Sequence, residues 1–280
     1  MTVSQLTGPA VALSDESYHL LNELLEERFG LHFPAHRRAI LEDRLQPRLR
    51  ALSLGDFLEY YAYLRANGNG EGRELAKAVT NNETYFFRER DQLDALFGEA
   101  VGVLRTTGRI LCAGCSSGEE AFTLSFFAHE AAAGAPPSAA VRIDAFDLDQ
   151  ERLAVAQRGE CRARSLRQMS EAQIARYLEP SGPDRWVVRE QYRKPVTFLP
   201  GNLVDSATFR TAGPYDAVFC RNVLIYFSRQ AMKRAVQNLV SVLRPGGLLF
   251  LGHSESVIGL LPTLETVRLG RCIVYRKVGA

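Results

Sequence analysis

From about residue 108 onward, short apolar runs alternate with segments that have helical spacing. The apolar runs are "RILCAG", "VRIDAFDLD", "VTFLPGN", "YDAVFCRN" and "LLFLGHS". The segments with helical spacing include "GEEAFTLSFFAHEAAA", "QERLAVAQRG" and "RQAMKRAVQNLVSVL", and "GAPPS" (134–138) is typical of a surface loop. Because strands that alternate with helices form a parallel sheet covered on both faces, this pattern predicts an α/β domain.

The first ninety residues have apolar positions at helical spacing instead. They predict three helices: one from Ser14 or Asp15 to Gly30, one from near Ala35 to Leu52, and one from Asp56 to Leu64. A proline inside a helix kinks or breaks it, so we expect a kink or a break at Pro47. The predicted domains are an N-terminal helical domain, residues 1–90, and an α/β domain, residues 91–280, with a small β insertion near 180–197.

Composition limits the class of protein. The 280 residues carry a formal net charge of +2, which demands neither a nucleic acid nor a membrane surface as a partner. No apolar run approaches the ~20 residues of a transmembrane helix, and the N-terminus lacks the pattern of a secretory signal. Five cysteines, an odd number, indicate free thiols in a reducing compartment. We expect a cytoplasmic monomer that binds no metal, because the histidines show no metal-ligand spacing.

The stretch "ILCAGCSSGEE" (110–120) combines a strand end, a turn of small residues around Gly114, and a helix start. Such a turn lets a ligand approach the backbone at the carboxyl end of the strand. The turn alone suits a dinucleotide or a nucleoside, and a nucleotide-free domain whose helix is capped by an acid stays possible. Glu119 and Glu120 would repel a pyrophosphate at the helix start and favour a ligand with positive charge. S-Adenosylmethionine meets this description, and Asp147 ends the next strand, where an acid can bind ribose hydroxyls.

Five motifs resemble, in the same order, those of the chemotaxis receptor methyltransferases (the CheR family), which methylate glutamate side chains of bacterial chemoreceptors. They are "NNETYFFRE" (81–89), "CAGCSSGEEAFTLS" (112–125), "DAFDLD" (144–149), "FCRNVLIYF" (219–227) and "LRPGGLLFLGHSES" (243–256). The resemblance covers nearly the whole chain. It implies a Rossmann-like class I methyltransferase domain with a mostly parallel sheet, preceded by a small all-helical domain. The implied activity is protein-glutamate O-methylation, which converts S-adenosylmethionine to S-adenosylhomocysteine.

The resemblance, together with the chemistry of the loop, predicts the cofactor-binding residues. They are Asn82, Thr84, Arg88, Gly114, Glu119, Glu120, Asp147, Asn202, Leu203, Arg221 and Asn222. Arg88 would hold the methionine carboxylate through a bidentate pair. Arg88 and Tyr226 are the expected catalytic residues, both acting by positioning. Two plainer interpretations stay open: Arg88 as a surface ion-pair partner beside packing aromatics, and Tyr226 as a core tyrosine with a satisfied hydroxyl.

The expected mechanism needs no general base. A glutamate side chain has an unperturbed pKa of about 4.3, so the accepting carboxylate is already ionised at neutral pH. Catalysis then consists of alignment and exclusion of water.

On the substrate side, Arg37, Arg44 and Arg48 would form a basic stripe if the second helix continued through Pro47. The resemblance implies that this stripe docks on the acidic cytoplasmic methylation helices of transmembrane chemoreceptors; an ordinary solvated face is the alternative. The β insertion tethers some family members to a receptor tail peptide, but with only Gly182 in its turn region tethering is not expected here. Two other functions stay open: a non-catalytic cofactor-binding scaffold that docks on receptors, and a methyltransferase for another acceptor.

Overall fold

The computed structural model describes residues 11–67, 70–99, 108–132 and 141–279, and the chain divides into two compact units, Met1–Thr80 and Asn81–Ala280. The loop predicted at 134–138 lies outside the described residues. The boundary falls ten residues before the predicted one, because residues 81–90 belong to the second unit. Phe86 and Phe87 are buried there in an aromatic cluster, with Phe86 stacked on Phe126 at a centroid distance of 5.8 Å. The paired rings therefore serve packing.

Within its described residues, the first unit contains four α-helices: α1 (Asp15–Phe29), α2 (Arg38–Leu52), α3 (Phe57–Ala66) and α4 (Gly70–Val79). The hydroxyl of Ser14 caps α1 by accepting the N–H of Ser17 at 3.1 Å, and Gly30 ends it at φ +77°. Helix α2 is not broken at Pro47, which lies inside it. Its buried leucines, with those of α1 and α3, provide the apolar core of this unit.

The second unit is built on ten strands in the described residues. They are β1 (Arg109–Ala113), β2 (Arg142–Asp147), β3 (Glu160–Arg162), β4 (Leu178–Gly182), β5 (Arg185–Val188), β6 (Val196–Pro200), β7 (Tyr215–Cys220), β8 (Leu243–Leu251), β9 (Leu264–Leu269) and β10 (Cys272–Lys277). Seven of them form one sheet in the order β6-β2-β1-β7-β8-β10-β9. The first five are parallel, and β10 is antiparallel to both of its neighbours.

In the described residues, the α-helices of the second unit are α5 (Arg90–Asp94), α6 (Glu119–Ala131), α7 (Gln150–Arg158), α8 (Glu171–Tyr177), α9 (Glu190–Arg193) and α10 (Arg229–Ser241). They cover both faces of the large sheet, as the side chains of β1 demonstrate. Leu111 packs in one cluster with Leu239 of α10, whereas Ile110 packs in a second cluster with Leu124 of α6. All four are fully buried, and each contributes on the order of 2 kcal/mol to folding.

The remaining strands form a small antiparallel sheet in the order β3-β5-β4, inserted between β2 and β6. It spans 160–188 rather than 180–197, and residues 196–200 belong to the large sheet as β6. Trp186 on β5 pairs with Cys161 on β3, a partner 25 residues earlier in the chain. Such a non-local pairing leaves no periodic signal within one segment, which is why the start of the insertion was not apparent from the sequence.

The strand order reverses at β1, because β2 and β6 lie on one side of it and β7 on the other. In open α/β sheets, the carboxyl ends of the strands at such a point form a crevice that binds ligands. No helix in the described parts of the chain is long and apolar enough to cross a membrane.

Candidate functional site

The main chain fixes the loop that follows β1. Gly114 has φ +83°, and a Cβ there would lie 2.5 Å from Cγ2 of Val223, so neither the backbone nor the space accepts a side chain. The N–H groups of Gly114 and Cys115 both donate to the carbonyl of Phe146 on β2, at 2.7 and 3.0 Å. The loop is thereby folded against the end of β2, which brings the start of α6 beside Asp147.

Asp147 ends β2 and is 8% exposed. Its carboxylate accepts the main-chain N–H of Ser116 at 2.6 Å and that of Asp149 at 2.8 Å. Burial raises the pKa of Asp147 to about 6, and the N–H donors of Asp149 and Ser116 offset part of that rise. The acid therefore lies where β1 and β2 end, tied to the glycine loop.

Residues 81–84 lie over these two strand ends. The side-chain amide of Asn82 donates to Asp149 at 2.9 Å, and the main-chain carbonyl of Asn82 accepts the hydroxyl of Ser116 at 3.3 Å. A cavity of about 280 Å³ opens beside the segment. Its lining includes residues 81–84, Ser117, Glu119 and three arginines, Arg152, Arg164 and Arg167. The structure thus brings the predicted residues Asn82, Thr84 and Glu119 together around one cavity.

The two acids at the start of α6 point to different places. Glu119 is 2% exposed, lines the cavity, and accepts the hydroxyls of Ser117 and Ser165 at 2.8 and 2.6 Å. Glu120 instead accepts Nε of Arg221 at 2.5 Å and the thiol of Cys112 at 3.1 Å. Of the two predicted cofactor contacts, only Glu119 reaches the cavity.

Arg221 is buried, with a side chain that is 1% exposed. Besides its bond to Glu120, it donates Nη1 to the main-chain carbonyls of Arg88 and Glu89 at 2.9 and 3.3 Å. The guanidinium group therefore holds the main chain of Arg88 and Glu89 against the end of β7. Arg221 is not among the residues that line the cavity, and its assignment to the cofactor stays a prediction.

Arg88 is half-buried and also lies outside the cavity lining. Its Nη1 donates to the main-chain carbonyl of Glu83 at 3.0 Å, and its guanidinium lies 5.5 Å from the centroid of the Tyr85 ring. This bond helps to hold residues 81–84 in place, and the guanidinium group has further N–H donors besides the one that it uses here.

Tyr226 follows β7 in a short 3-10 turn (Leu224–Tyr226). Its hydroxyl accepts the side-chain amide of Asn81 at 2.5 Å, and Asn81 also lines the cavity. Asn222, four residues earlier, has a positive φ of 59°, and its side-chain carbonyl is buried without a hydrogen-bond partner among the described residues. Both predicted residues therefore follow the carboxyl end of β7, and Tyr226 bonds a residue of the cavity wall.

Asn202 and Leu203 follow β6 at the same edge of the sheet. The N–H of Gly201 donates to the carbonyl of Asp147 at 2.9 Å, which fixes this turn beside β2. The side-chain oxygen of Asn202 accepts the N–H of Val204 at 3.2 Å, and Leu203 is buried. These two residues lie near Asp147 but are not part of the cavity lining.

One residue that carries the site was missed. Glu255 is 8% exposed, and its carboxylate accepts main-chain N–H groups from the turn after β7. Glu255 belongs to the "GHSES" stretch, but only the fold shows which donors surround it.

The three arginines of the predicted basic stripe, Arg37, Arg44 and Arg48, differ in their side-chain partners. Arg48 donates from Nε and Nη2 to the buried Glu71 at 2.9 and 2.7 Å, and from Nη1 to Glu74 at 3.3 Å. Arg44 donates to the carbonyl of Val79. Arg44 and Arg48 therefore have acceptors in α4, and the docking role of the three arginines stays a prediction. Of the three, only Arg37 has no such side-chain partner in the described ranges.

The large sheet is mostly parallel and includes an antiparallel strand near one edge. A loop of small residues follows β1, and an acid ends β2. This scaffold is that of the S-adenosylmethionine-dependent methyltransferases of class I. Comparison with known proteins narrows the class to one family. Residues 82–270 match the family described as "CheR methyltransferase, SAM binding domain", and residues 16–80 match "CheR methyltransferase, all-alpha domain".

The chain is also similar to three proteins that are each named "Chemotaxis protein methyltransferase". The one from Salmonella typhimurium is 35% identical over 90% of this chain and 87% of that protein. Those from Escherichia coli and Klebsiella aerogenes are each 34% identical, over 88% and 91% of this chain and 86% and 90% of theirs. The chain therefore belongs to the CheR family of methyltransferases. The predicted family, fold class and cofactor are confirmed.

Proposed function

We propose that this methyltransferase transfers the methyl group of S-adenosylmethionine to glutamate side chains of chemoreceptors, forming methyl esters. The observation that carries the proposal is the cavity lined by Asn82, Thr84 and Glu119, which the bond from Asn82 to Asp149 ties to the strand end that holds the buried Asp147. Family membership supports the acceptor, because the relatives with which the chain shares most of its length are chemotaxis methyltransferases.

The residues present fit the cofactor. Gly114 leaves room for close approach to the backbone, and the unpaired side-chain carbonyl of Asn222 can accept an ammonium proton. We infer that Asp147 accepts the ribose hydroxyls, that Glu119 faces the cationic part, and that Asn82 and Thr84 close the cavity over it. Asn202 and Leu203 are assigned to the adenine, and Arg88 to the methionine carboxylate. When bound, S-adenosylmethionine supplies the electrophilic methyl group.

The chain's own residues align the reacting groups and exclude water from the site. An ionised glutamate attacks without a general base, since its ordinary pKa is about 4.3. Tyr226 is assigned to orient the acceptor, because its hydroxyl bonds Asn81 at the cavity wall. Burial raises the pKa of the Cys112 thiol well above its ordinary value, so this thiol stays protonated and offers no competing nucleophile. Good alignment alone contributes roughly 7 to 11 kcal/mol to rate acceleration.

The proposed partners are the cytoplasmic methylation helices of transmembrane chemoreceptors, and the proposed location is the cytoplasm. The five cysteines are all free, which fits a reducing compartment. The proposal includes a monomeric enzyme, because the large exposed apolar residues are single and scattered over separate elements. The helical first unit is assigned to receptor docking, and of the three predicted arginines Arg37 is the one without a side-chain partner in the described residues.

The decisive experiment follows tritiated methyl from S-adenosylmethionine into a chemoreceptor cytoplasmic fragment, and then treats the product with alkali. Methyl esters release volatile methanol, whereas methylated nitrogen does not. Arg88→Ala is the test variant, and Arg271→Ala, an exposed arginine in the turn before β10, is the matched control. We expect alkali-labile label from the unchanged chain and the control, and at least tenfold less from Arg88→Ala.

Label that resists alkali would exclude a carboxylate acceptor in favour of another group. Cofactor binding without transfer to any of several receptor fragments would instead favour the non-catalytic scaffold.

A further inference from the structure

An exposed groove of about 440 Å³ lies on the small sheet, outside the cavity described above. Arg162, at the end of β3, Arg164, in the turn that follows, and Arg185, at the start of β5, all line it. Asp184 is the single acid of its lining. Three positive charges against one negative charge leave a net charge of +2 in the groove.

Two of these arginines face each other across the sheet. Arg162 is the register partner of Arg185 in the antiparallel pair of β3 and β5. Like charges directly opposite each other on neighbouring strands destabilise a sheet. The nearby Glu160 offsets them only in part, because its pKa is lowered first by the hydrogen bonds from Arg158, at 2.9 and 3.2 Å, and only secondarily by the charges of Arg185 and Arg162.

None of the three groove arginines makes a side-chain hydrogen bond or a close ion pair within the parts of the chain that the structure describes. All three are exposed. A cluster of unpaired guanidinium groups carries a cost that a bound anion removes, and the planar fork of arginine matches a carboxylate.

The groove adjoins the cavity through one shared residue. Arg164 lines both of them, and Arg152 and Arg167 extend the positive lining on the cavity side. An extended ligand that reaches the cavity with one carboxylate can therefore place its neighbouring carboxylates on Arg162 and Arg185. No aromatic side chain among the described residues lines the groove, whereas grooves for single-stranded nucleic acid usually provide stacking platforms.

We propose that this groove, defined by Arg162, Arg164 and Arg185, binds the carboxylates of an acidic polypeptide segment that flanks the methyl-accepting glutamate. This inference rests on the proposed function, in which a glutamate accepts the methyl group, and it adds that the sequence around that glutamate is acidic. Carboxylates held on the groove hold the segment in register, so that the accepting side chain enters the cavity.

The test uses the double variant Arg162→Gln/Arg185→Gln and the control Arg268→Gln/Arg271→Gln, which removes the same charge from β9 and the turn after it. The probes are a fluorescent peptide of twenty residues rich in glutamate and a second peptide with glutamine in place of each glutamate. Binding is measured by anisotropy with S-adenosylhomocysteine present, and methyl transfer to a receptor fragment is measured in parallel.

We expect the groove variant to bind the acidic peptide roughly tenfold more weakly at low salt, to raise KM for the receptor fragment to a similar degree, and to leave kcat within about twofold. Its affinity for S-adenosylhomocysteine and its melting temperature should not fall, because the exchange removes a like-charge pair. The difference from the control should shrink at high salt.

The groove proposal would be overturned if both double variants lost the same affinity for the acidic peptide, or if the unchanged chain bound the two peptides equally. Preferred binding of single-stranded DNA or anionic vesicles would overturn it as well. If acidic-peptide binding depends on the groove while label on the receptor resists alkali, the groove stands and the glutamate acceptor fails.

Discussion

The carboxylate of Glu255 accepts the main-chain N–H of Asn222 at 2.9 Å, and through this bond it holds a residue of positive φ in place. The same carboxylate accepts the N–H groups of Val223, Ile225 and Gly252, at 2.9, 3.3 and 2.7 Å. A Cβ on Gly252 would lie 2.9 Å from the Glu255 carboxylate, so the acid fits only against a glycine. The turn that presents Tyr226 is therefore shaped by one buried acid.

Exchange of Glu255 for glutamine should reduce both stability and turnover. A glutamine side chain has one acceptor oxygen and would direct its own N–H groups at main-chain donors, so we expect a loss of about 1–3 kcal/mol in the free energy of unfolding. Displacement of Tyr226 should lower kcat at least tenfold while the affinity for S-adenosylhomocysteine changes little. Denaturant unfolding and steady-state kinetics measure the two effects, with the exposed Glu265→Gln as the control. Lower stability with an unchanged kcat would reduce Glu255 to a purely structural role.

The ion pair between Glu120 and Arg221 should behave as a buried pair. Their side chains are 14% and 1% exposed, so Arg221→Met leaves a carboxylate without its cation and should cost about 3–5 kcal/mol of unfolding free energy. The double variant Glu120→Met/Arg221→Met should recover much of that loss, because both charges are then absent. The exposed pair of Glu265 and Arg276 provides the contrast, with an expected cost below about 1 kcal/mol for Arg276→Met. A double-mutant cycle with no coupling between Glu120 and Arg221 would contradict this assignment.

An alanine at Gly114 tests the approach to the glycine loop. Two costs add there: a left-handed backbone, at about 1–2 kcal/mol for a residue with a Cβ, and a contact of 2.5 Å with Val223. Gly246→Ala separates them, because Gly246 has φ +77° but a Cβ added to it would meet no described atom within 4 Å. We expect Gly114→Ala to lose more unfolding free energy than Gly246→Ala and to lose cofactor binding in calorimetry. Equal losses, with binding retained, would mean that the loop tolerates a side chain.

Much of this architecture could be predicted from local patterns. The strands and helices around the sheet have strong periodicity, and the loop of Gly114 and the acid of Asp147 belong to short contiguous motifs. The side-chain partners of the arginines of α2 could not be predicted in this way, because helical spacing shows which residues share a face but not which residues they contact. Glu71, on another helix, binds Arg48, and that pairing exists only in the folded unit.

The same limit applies to Arg221 and Glu255. Arg221 stands at a strand end where ligands collect, yet the acid on α6 captures its side chain and turns it into a brace. Glu255 is separated by more than thirty residues from the turn that it shapes. Roles that depend on contacts across the sequence thus emerged only from the tertiary structure.

The raised pKa of Asp147 predicts the pH dependence of cofactor binding. Burial moves the pKa of this carboxyl from near 4 to about 6, so the protonated form accumulates as pH falls through 6. The ionised form accepts hydroxyl hydrogen bonds on both oxygens, whereas the protonated form loses acceptor capacity, so affinity should strengthen as pH rises through 6. The Kd of S-adenosylhomocysteine, measured by calorimetry from pH 5 to pH 8, should be constant above about pH 7 and should rise by up to about tenfold per unit below the pKa. Asp147→Asn should bind weakly with no such dependence, while the exposed Asp94→Asn should keep the profile of the unchanged chain. A Kd that stays flat down to pH 5, or tight binding by Asp147→Asn at pH 8, would show that the ribose is not held by this acid.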